Sequence, residues 1–509
     1  MIHSRTLCLP LAVAASAWSF TDSLGSWETR ADLQLNLGCV RSRPYLKELH
    51  RADRFGGNWG AESVPAEMAW AWDTLPAFAE LSLGARRQDV ELLLRLPLRR
   101  DLDSWRGDPV GFLPVPTPSQ LDINVPREAW MRLDTRVGEV RLGRFAPEVS
   151  LSHGVILSGT PWIDGLSWKL SLGHVRYRFL AASLNPWLNG TPTDSSGRIP
   201  SENAVGSLSA PLGSENWRQS HLALGDQHGR IYDDPYKSLF LHSLGYVAGA
   251  WEFTVIEQTL VGGKAPQFRD ANPFMVWHDN FGDGYSRSFF SFEVRRESPE
   301  LGLFWSQVST QLIKSPVGED IGYDPPLQAA AALGWKRDWN GSSGRWAVAS
   351  SVAATTPTFD NHLLPLLKMT SRQLYRSNAR DQSDPDYADV FEVDDPLGYV
   401  RGPDAVDVWN RLGWQEPSDA WGLWGELDLL QQGEATLETD IKTLMGKNLP
   451  LSGVVERELR AVAGAQARLT AHWRWHGSLG LSVFQNRDHR NGEDGEASPL
   501  WSCYLSGSY

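Results

Sequence analysis

The chain has 509 residues, and its 48 Lys and Arg against 61 Asp and Glu leave a net charge of −13, which excludes nucleic acid as the default partner. Apolar residues make up 41% of it, enough for a large core, yet no apolar run reaches the roughly 18 residues that a membrane-spanning helix needs. With 24 Trp and 46 Gly beside 6 Met and 3 Cys, the composition points to many short, aromatic-rich strands.

Residues 1–17 read as a signal peptide. Arg5 precedes an apolar stretch from Leu7 to Ala14, and Ala15-Ser16-Ala17 supplies the small-x-small cleavage pattern, so the mature chain would begin near Trp18. Arg5 stands where a lipid-attachment site at Cys8 would need an aliphatic residue. After cleavage Cys39 and Cys503 remain, too few for a disulfide framework or a metal cluster. CxxC, HExxH, GxxxxGK[ST], GxSxG and a GxGxxG leading into a helix do not occur, and neither a metal nor a cofactor is expected.

Residues 18–66 are read as a short helical segment, periplasmic or plugging a lumen. Within it, Asp32 to Arg54 mixes leucines with basic residues and is divided by Pro44, which predicts one or two short helices. From Glu67 to residue 509 the period is two, in pieces of eight to twelve residues separated by turns. This weak, repeated signal predicts an all-β fold, a transmembrane antiparallel β-barrel spanning 67–509.

Individual hairpins carry the reading. Met131, Leu133, Thr135 and Val137 share one face, Arg132, Asp134 and Arg136 the other, and Gly138 turns the chain into Val140 and Leu142. Trp168, Leu170 and Leu172 lead through Gly173 to Val175, Tyr177 and Phe179, with His174, Arg176 and Arg178 opposite. Faces so rich in arginine are costly to bury in a dry core. Near the end, Trp473 and Trp475 precede a turn expected at His476-Gly477, which fits an interfacial aromatic girdle. Tight glycine turns contrast with long polar connections such as Asn185 to Arg218, Gln373 to Asp407 and Asn486 to Pro499. That asymmetry is the one that outer-membrane barrels show, with long loops outside the cell. The terminal strand, Leu500 to Tyr509, ends on an aromatic residue, like the closing strand that barrel-assembly machinery reads. It turns Cys503 and Tyr509 toward lipid, so a bridge from Cys503 to Cys39 is not expected.

Three ordered stretches resemble the capsule-assembly outer-membrane proteins of the Wzi type. They are Leu142-Gly143-Arg144-Phe145 through Leu157-Ser158-Gly159, then Trp251 to Phe274 with Glu257, Gly262-Gly263 and Asn272-Pro273-Phe274, and then Leu397-Gly398-Tyr399-Val400-Arg401-Gly402-Pro403-Asp404 with Trp409. The resemblance covers roughly residues 30 to 509 and extends to the N-terminal segment, where that family places a small helical bundle. It implies about eighteen antiparallel strands around a wide polar lumen that must be plugged if it is not a channel. Two departures stand out: Ser309, Thr310 and Gln311 replace paired acids expected after the strand Leu303–Thr310, and the helical segment is short.

The expected role is non-enzymatic: binding, anchoring or helping to assemble surface polysaccharide in the outer membrane of a Gram-negative bacterium. Outer-membrane lipid and lipopolysaccharide are further partners, and a monomer is expected. Arginine forks match carboxylates, and Trp and Tyr faces stack on sugar rings. The ligand-binding candidates are Arg132, Arg136, Arg141, Arg144, Arg176 and Arg178 at the lumen or rim, with Glu257 either a lumen contact or a folding residue. Inward charges in barrels usually pair with one another, so a lumen network with acids such as Asp134 and Glu139 is the competing expectation. The seven acids between Asp381 and Asp395 lack the spacing of a calcium loop and predict a solvated external loop. A channel for sugars or oligosaccharides is the alternative. A secreted carbohydrate-active enzyme has only abundant carboxylates and Trp behind it, and a Ser/His site only Ser152-His153.

Overall fold

The computed structural model describes residues 20–24, 27–41, 76–99, 121, 126–147, 151–184, 237–262, 265–267, 271–274, 286–311, 326–362, 367–376 and 390–508, apart from single positions within them. The strands in chain order are β1 (Phe20–Leu24), β2 (Trp27–Arg41), β3 (Ala79–Arg87), β4 (Val90–Leu98), β5 (Glu128–Thr135), β6 (Gly138–Phe145) and β7 (Ile163–Leu172). They continue with β8 (Val175–Leu184), β9 (Lys237–Ala248), β10 (Trp251–Gly262), β11 (Ser286–Ser298), β12 (Gly302–Thr310), β13 (Ala329–Gly341) and β14 (Gly344–Thr355). The last are β15 (Thr370–Arg376), β16 (Val390–Pro396), β17 (Ala405–Gln415), β18 (Trp421–Gln432), β19 (Glu456–Arg468), β20 (Trp473–Gln485) and β21 (Asp494–Ser508).

Each strand pairs antiparallel with its neighbour in sequence from β2 to β14, β14 pairs with β17, and pairing then continues to β21. The ring closes where β21 returns to β2, with Gln34 opposite Ser508 and Arg41 opposite Trp501. Eighteen strands form the closed barrel. β1 hairpins back onto β2, Phe20 opposite Ala31 and Leu24 opposite Trp27, and so occupies the part of that edge beyond the end of β21. β15 and β16 pair only with each other.

This closure corrects the expectation of a helical N-terminal segment. Residues 27–41 are a barrel strand, and the barrel begins well before Glu67; residues 42–66 lie outside the described residues. Leu33, Leu35 and Leu37 alternate with Asp32, Gln34 and Asn36, a period-two pattern that outweighs the helical look of the basic stretch after it. The register also sets Cys39 directly opposite Cys503, whose thiol is free and exposed.

Strand faces sort by chemistry. Exposed Leu244, Val255, Phe292, Val308, Leu333, Leu427 and Leu481 point outward, while the alternate positions carry Glu293, Gln307, Asp407, Asp428 and Glu458, all buried. A soluble sandwich would invert this arrangement. Aromatic rings band the outer face at the tight-turn end: Trp251 stacks with Phe253, Phe304 with Trp335 and Trp339 with Trp346, while Trp414 meets Trp421 edge-on at 4.6 Å. Their polar edges are tied to the turns, Trp168 Nε1 donating to Val137 O at 2.9 Å and Trp335 Nε1 to Leu301 O at 2.7 Å. An apolar belt, an aromatic girdle and a polar interior on a closed barrel place the protein in the outer membrane of a Gram-negative bacterium.

One end has only tight turns, such as 136–137, 173–174, 249–250 and 342–343, and the other only longer connections. Two turns differ from expectation. Gly138 opens β6 after a turn at Arg136-Val137, and the last hairpin turns at 469–472 while Gly477 lies inside β20. Gly477 instead lies beneath the Trp475 ring. The same device recurs across strands: Trp305 covers its register partner Gly334, Trp424 covers Gly464 and Trp473 covers Gly507, and a Cβ at any of these glycines would overlap the ring. Tryptophan seals the backbone that a glycine leaves bare, which accounts for part of the abundance of both residues.

Loops of the long-loop end fold back into the lumen along β6 to β18. Val155, Ile156 and Leu157 from one connection meet Phe359, Leu397 and Tyr399 from another, against inward Leu241, Leu260, Phe289, Ala332 and Ala353. Each fully buried large side chain contributes about 1.5–3 kcal/mol, so this part of the lumen is a packed core.

Candidate functional site

Four of the expected arginines face the lumen near the tight turns, and three of them are held by acids. Arg132 Nη2 lies 2.6 Å from Glu91 and 3.6 Å from Asp134. Arg141 and Lys169 share Glu139 at 3.5 and 3.1 Å, and Arg176 meets Glu252 at 3.2 Å. Arg141 also lies over the inward Trp130 ring, 4.7 Å from its centroid. Arg178 stands among them on β8, opposite Lys169 in register.

The other three candidates are not lumenal. Arg136 is exposed in the β5–β6 turn. Arg144 shares the outward parity of Leu142 and makes a two-pronged pair with its cross-strand neighbour Asp164, both bonds 2.8 Å. Glu257 is only 2% exposed, yet it shares the outward parity of Trp251, Phe253 and Val255. Residues 271–274 fold across this outer face. Tyr177 Oη donates to Pro273 O and lies 2.8 Å from His242 Nδ1, the cross-strand neighbour of Glu257, while Phe274 packs edge-on against Trp168. The strand alternation already contained these corrections: position 144 is one step out of phase with 139 and 141, and 257 is in phase with an outward tryptophan.

The groups that lock the loops into the lumen include Tyr399, Arg401, Asp404 and Trp409 of the third stretch that resembles the Wzi type and His153, to which sequence alone assigns no such role. Arg401, fully buried, reaches the barrel wall and lies 2.8 Å from Asp428 and 3.7 Å from Asp407. Asp428 also receives Arg460 at 2.7 Å, and Tyr399 Oη donates to Asp407. His153 Nδ1 lies 3.6 Å from Asp407 with its ring stacked on Trp409 at 4.3 Å, so this histidine belongs to the anchor; Ser152 lies outside the described residues. Asp360 accepts from the Gly398 N–H at 3.0 Å, and burial pushes its carboxyl up to about 7 against the pull of Arg287 and the backbone donors. Arg287 donates to Leu367 O, Gln311 and Gln328, while Gln307 accepts from the Val155 N–H at 2.9 Å. The positions of the missing acids are thus engaged: Ser309 accepts from Ser291, and Gln311 from Arg287. Asp404 gathers the N–H groups of Ala435, Leu451 and Ser452 from the β18–β19 connection. The expected acidic loop is in part strand β16; residues 377–389 lie outside the described residues.

On the opposite wall, β2 to β4 border a cavity of about 560 Å³ lined by Glu28, Arg30, Asp32, Glu80, Arg86 and Arg95 among others. No family model matches the chain, and no curated protein does. Among solved structures it is similar to Wzi, a carbohydrate-binding β-barrel outer-membrane protein involved in group 1 capsule assembly in Escherichia coli, with 9% identity over 94% of this chain and 84% of that one and a TM-score of 0.46. It is also similar to a BenF-like porin from Pseudomonas fluorescens Pf-5, 9% identical over 94% and 98% of the two chains with a TM-score of 0.42. An anion-selective porin from Comamonas acidovorans is 8% identical over 95% and 100%, with a TM-score of 0.34. The barrel assignment rests on this chain's own strand pairing and face chemistry.

Proposed function

We propose that the protein is a non-catalytic outer-membrane barrel of the Wzi type that binds or anchors surface polysaccharide or helps its assembly. The observation that carries this reading is the packed lumen: two connections from the long-loop end are buried in it and fixed by Arg401, Asp407 and Asp428. Loops held rigidly at the long-loop end favour a fixed binding surface over a passage for solutes. In this reading the lumen arginines Arg132, Arg141, Arg176 and Arg178 are binding groups, the outer belt meets lipid and lipopolysaccharide, barrel-assembly machinery inserts the chain, and the working unit is a monomer.

A second reading, a channel for sugars or oligosaccharides, draws on the cavity beside β2 to β4, which several charged side chains line, away from the buried loops. Two measurements separate them. In planar bilayers the anchoring reading predicts small or no steady conductance, whereas large, stable steps would establish the channel. On cells, deleting the protein should release surface polysaccharide into the medium; full retention in the deletion strain would remove the anchoring role.

A further inference from the structure

The cavity beside β2 to β4 has a floor that side chains leave bare. Gly84 of β3 faces the lumen there, with Arg30 of β2 and Leu93 of β4 as its register partners. A Cβ on Gly84 would meet no atom nearer than 3.9 Å, so the space above it is open. The packed core of the buried loops takes no side chain from β2, β3 or β4 among the described residues. Glu28, Arg30 and Arg86 are exposed, and Arg86 and Glu91 flank the tight turn at 88–89, so the cavity is reached from the periplasmic end. Its volume of about 560 Å³ lies within the roughly 300–1,000 Å³ usual for small-ligand sites.

Charge alternates on this wall instead of accumulating. Toward the tight turns, the inward row next to Gly84 is Glu28, Arg86, Glu91 and Arg132, successive register partners on β2 to β5. On the other side of Gly84 the row is Asp32, Ser82, Arg95 and Glu128. Arg30 Nε lies 2.6 Å from Asp32, Arg132 2.6 Å from Glu91 and Arg95 3.5 Å from Glu128. A carboxylate only accepts and a guanidinium only donates, and one such contact leaves each of them further lone pairs or N–H groups. An anion entering here would meet at least as many acids as arginines. A hydroxyl group is matched by both, accepting from an arginine while donating to the acid beside it. The C–H face of a sugar ring fits Leu93 and the bare backbone of Gly84.

We infer that this cavity binds a neutral saccharide, held between paired acid and arginine side chains over the Gly84 floor. The inference rests on the reading of the protein as a saccharide-binding barrel; it names the class of sugar and adds the wall of β2 to β4 to the arginines of β5 to β8. It holds whether the sugar is anchored or passes through.

The test is calorimetric titration of the full chain, folded in a sugar-free detergent, with three neutral trisaccharides built from glucose, mannose and galactose. Trigalacturonate and the trimer of glucosamine serve as the anionic and cationic comparisons. At least one neutral trisaccharide should bind, more tightly than either charged one, and its affinity should change little with added salt, since no net charge is exchanged. Gly84→Phe, which fills the open floor without displacing a neighbour, should weaken binding about tenfold or more. Arg86→Gln and Glu91→Gln should each weaken it less. Mobility of unboiled samples checks that each variant is folded. Failure of all three neutral sugars to bind, equal or tighter binding of a charged trimer, or unchanged affinity in folded Gly84→Phe would overturn the site. Polysaccharide retention on cells is scored separately. Retention lost on deletion while no trisaccharide binds would sink the cavity site alone, and binding that persists while retention proves independent of the protein would sink the anchoring role alone.

Discussion

Arg401 shows how a single residue holds a loop in a membrane barrel. Its guanidinium is fully buried between Asp407 and Asp428, and removing it would leave two carboxylates in a low-dielectric lumen with too little compensation. Arg401→Met should therefore destabilise the protein by about 3–5 kcal/mol, read as a lower denaturant midpoint by tryptophan fluorescence. A midpoint equal to wild type would mean that water reaches these acids. Asp360 makes a separable prediction. Its carboxyl is raised to about 7 by burial, above the unfolded value near 4, so the folded protein holds the proton more tightly than the unfolded chain. The contribution of Asp360 to stability is then greatest at acid pH and falls as pH rises from about 4 to about 7. Relative to Asp360→Asn, which keeps an acceptor for the Gly398 N–H, wild type should be more stable at pH 5 than at pH 8; a pH-independent difference would contradict the raised value. Arg401 lies in a stretch that the sequence marks, but the anchoring role of these residues was not legible in it, because a buried charge in a connecting loop differs from a solvated one only through partners far away in sequence.

Strands were the legible elements. Alternation around Trp130, Trp168, Trp251, Phe290 and Trp335 gave the hairpins and their outward faces, since a barrel strand has one face in lipid and one in polar surroundings. Turns were harder. Some glycines of this chain open a turn, as at Gly173, and others lie under a tryptophan, as at Gly477, and composition does not separate the two uses. The covered glycines are testable: Gly464→Val would force a side chain into the Trp424 ring and should cut the folded, heat-modifiable fraction several-fold, whereas Gly173→Ala, with open space around it, should cost only the strain of its positive φ, about 1 kcal/mol. Equal yields of folded Gly464→Val and wild type would remove the sealing role of Trp424. Two strands fall in the segment expected to be helical, β1 and β2, and β2 was obscured by the basic leucine-containing residues that follow it.

For the molecule as a whole, the period-two signal and the turn asymmetry foretold a barrel with a polar lumen, but not the buried loops, whose contacts join residues 153–160 to 397–404 across the chain. The ring depends on closure by β2 against β21, and Cys39 and Cys503 report on it directly. The register sets Cys39 opposite Cys503, and facing positions of an antiparallel pair are in general close enough, at about 4.5–5.5 Å, for a short linker to span. The measurement is treatment of the folded protein with a short, apolar thiol-to-thiol cross-linker, followed by peptide mass spectrometry. The closed barrel predicts an intramolecular link between Cys39 and Cys503 that is lost when the protein is unfolded first. Independent modification of both cysteines in the folded protein, with no link between them, would contradict the seam and the eighteen-strand ring built on it.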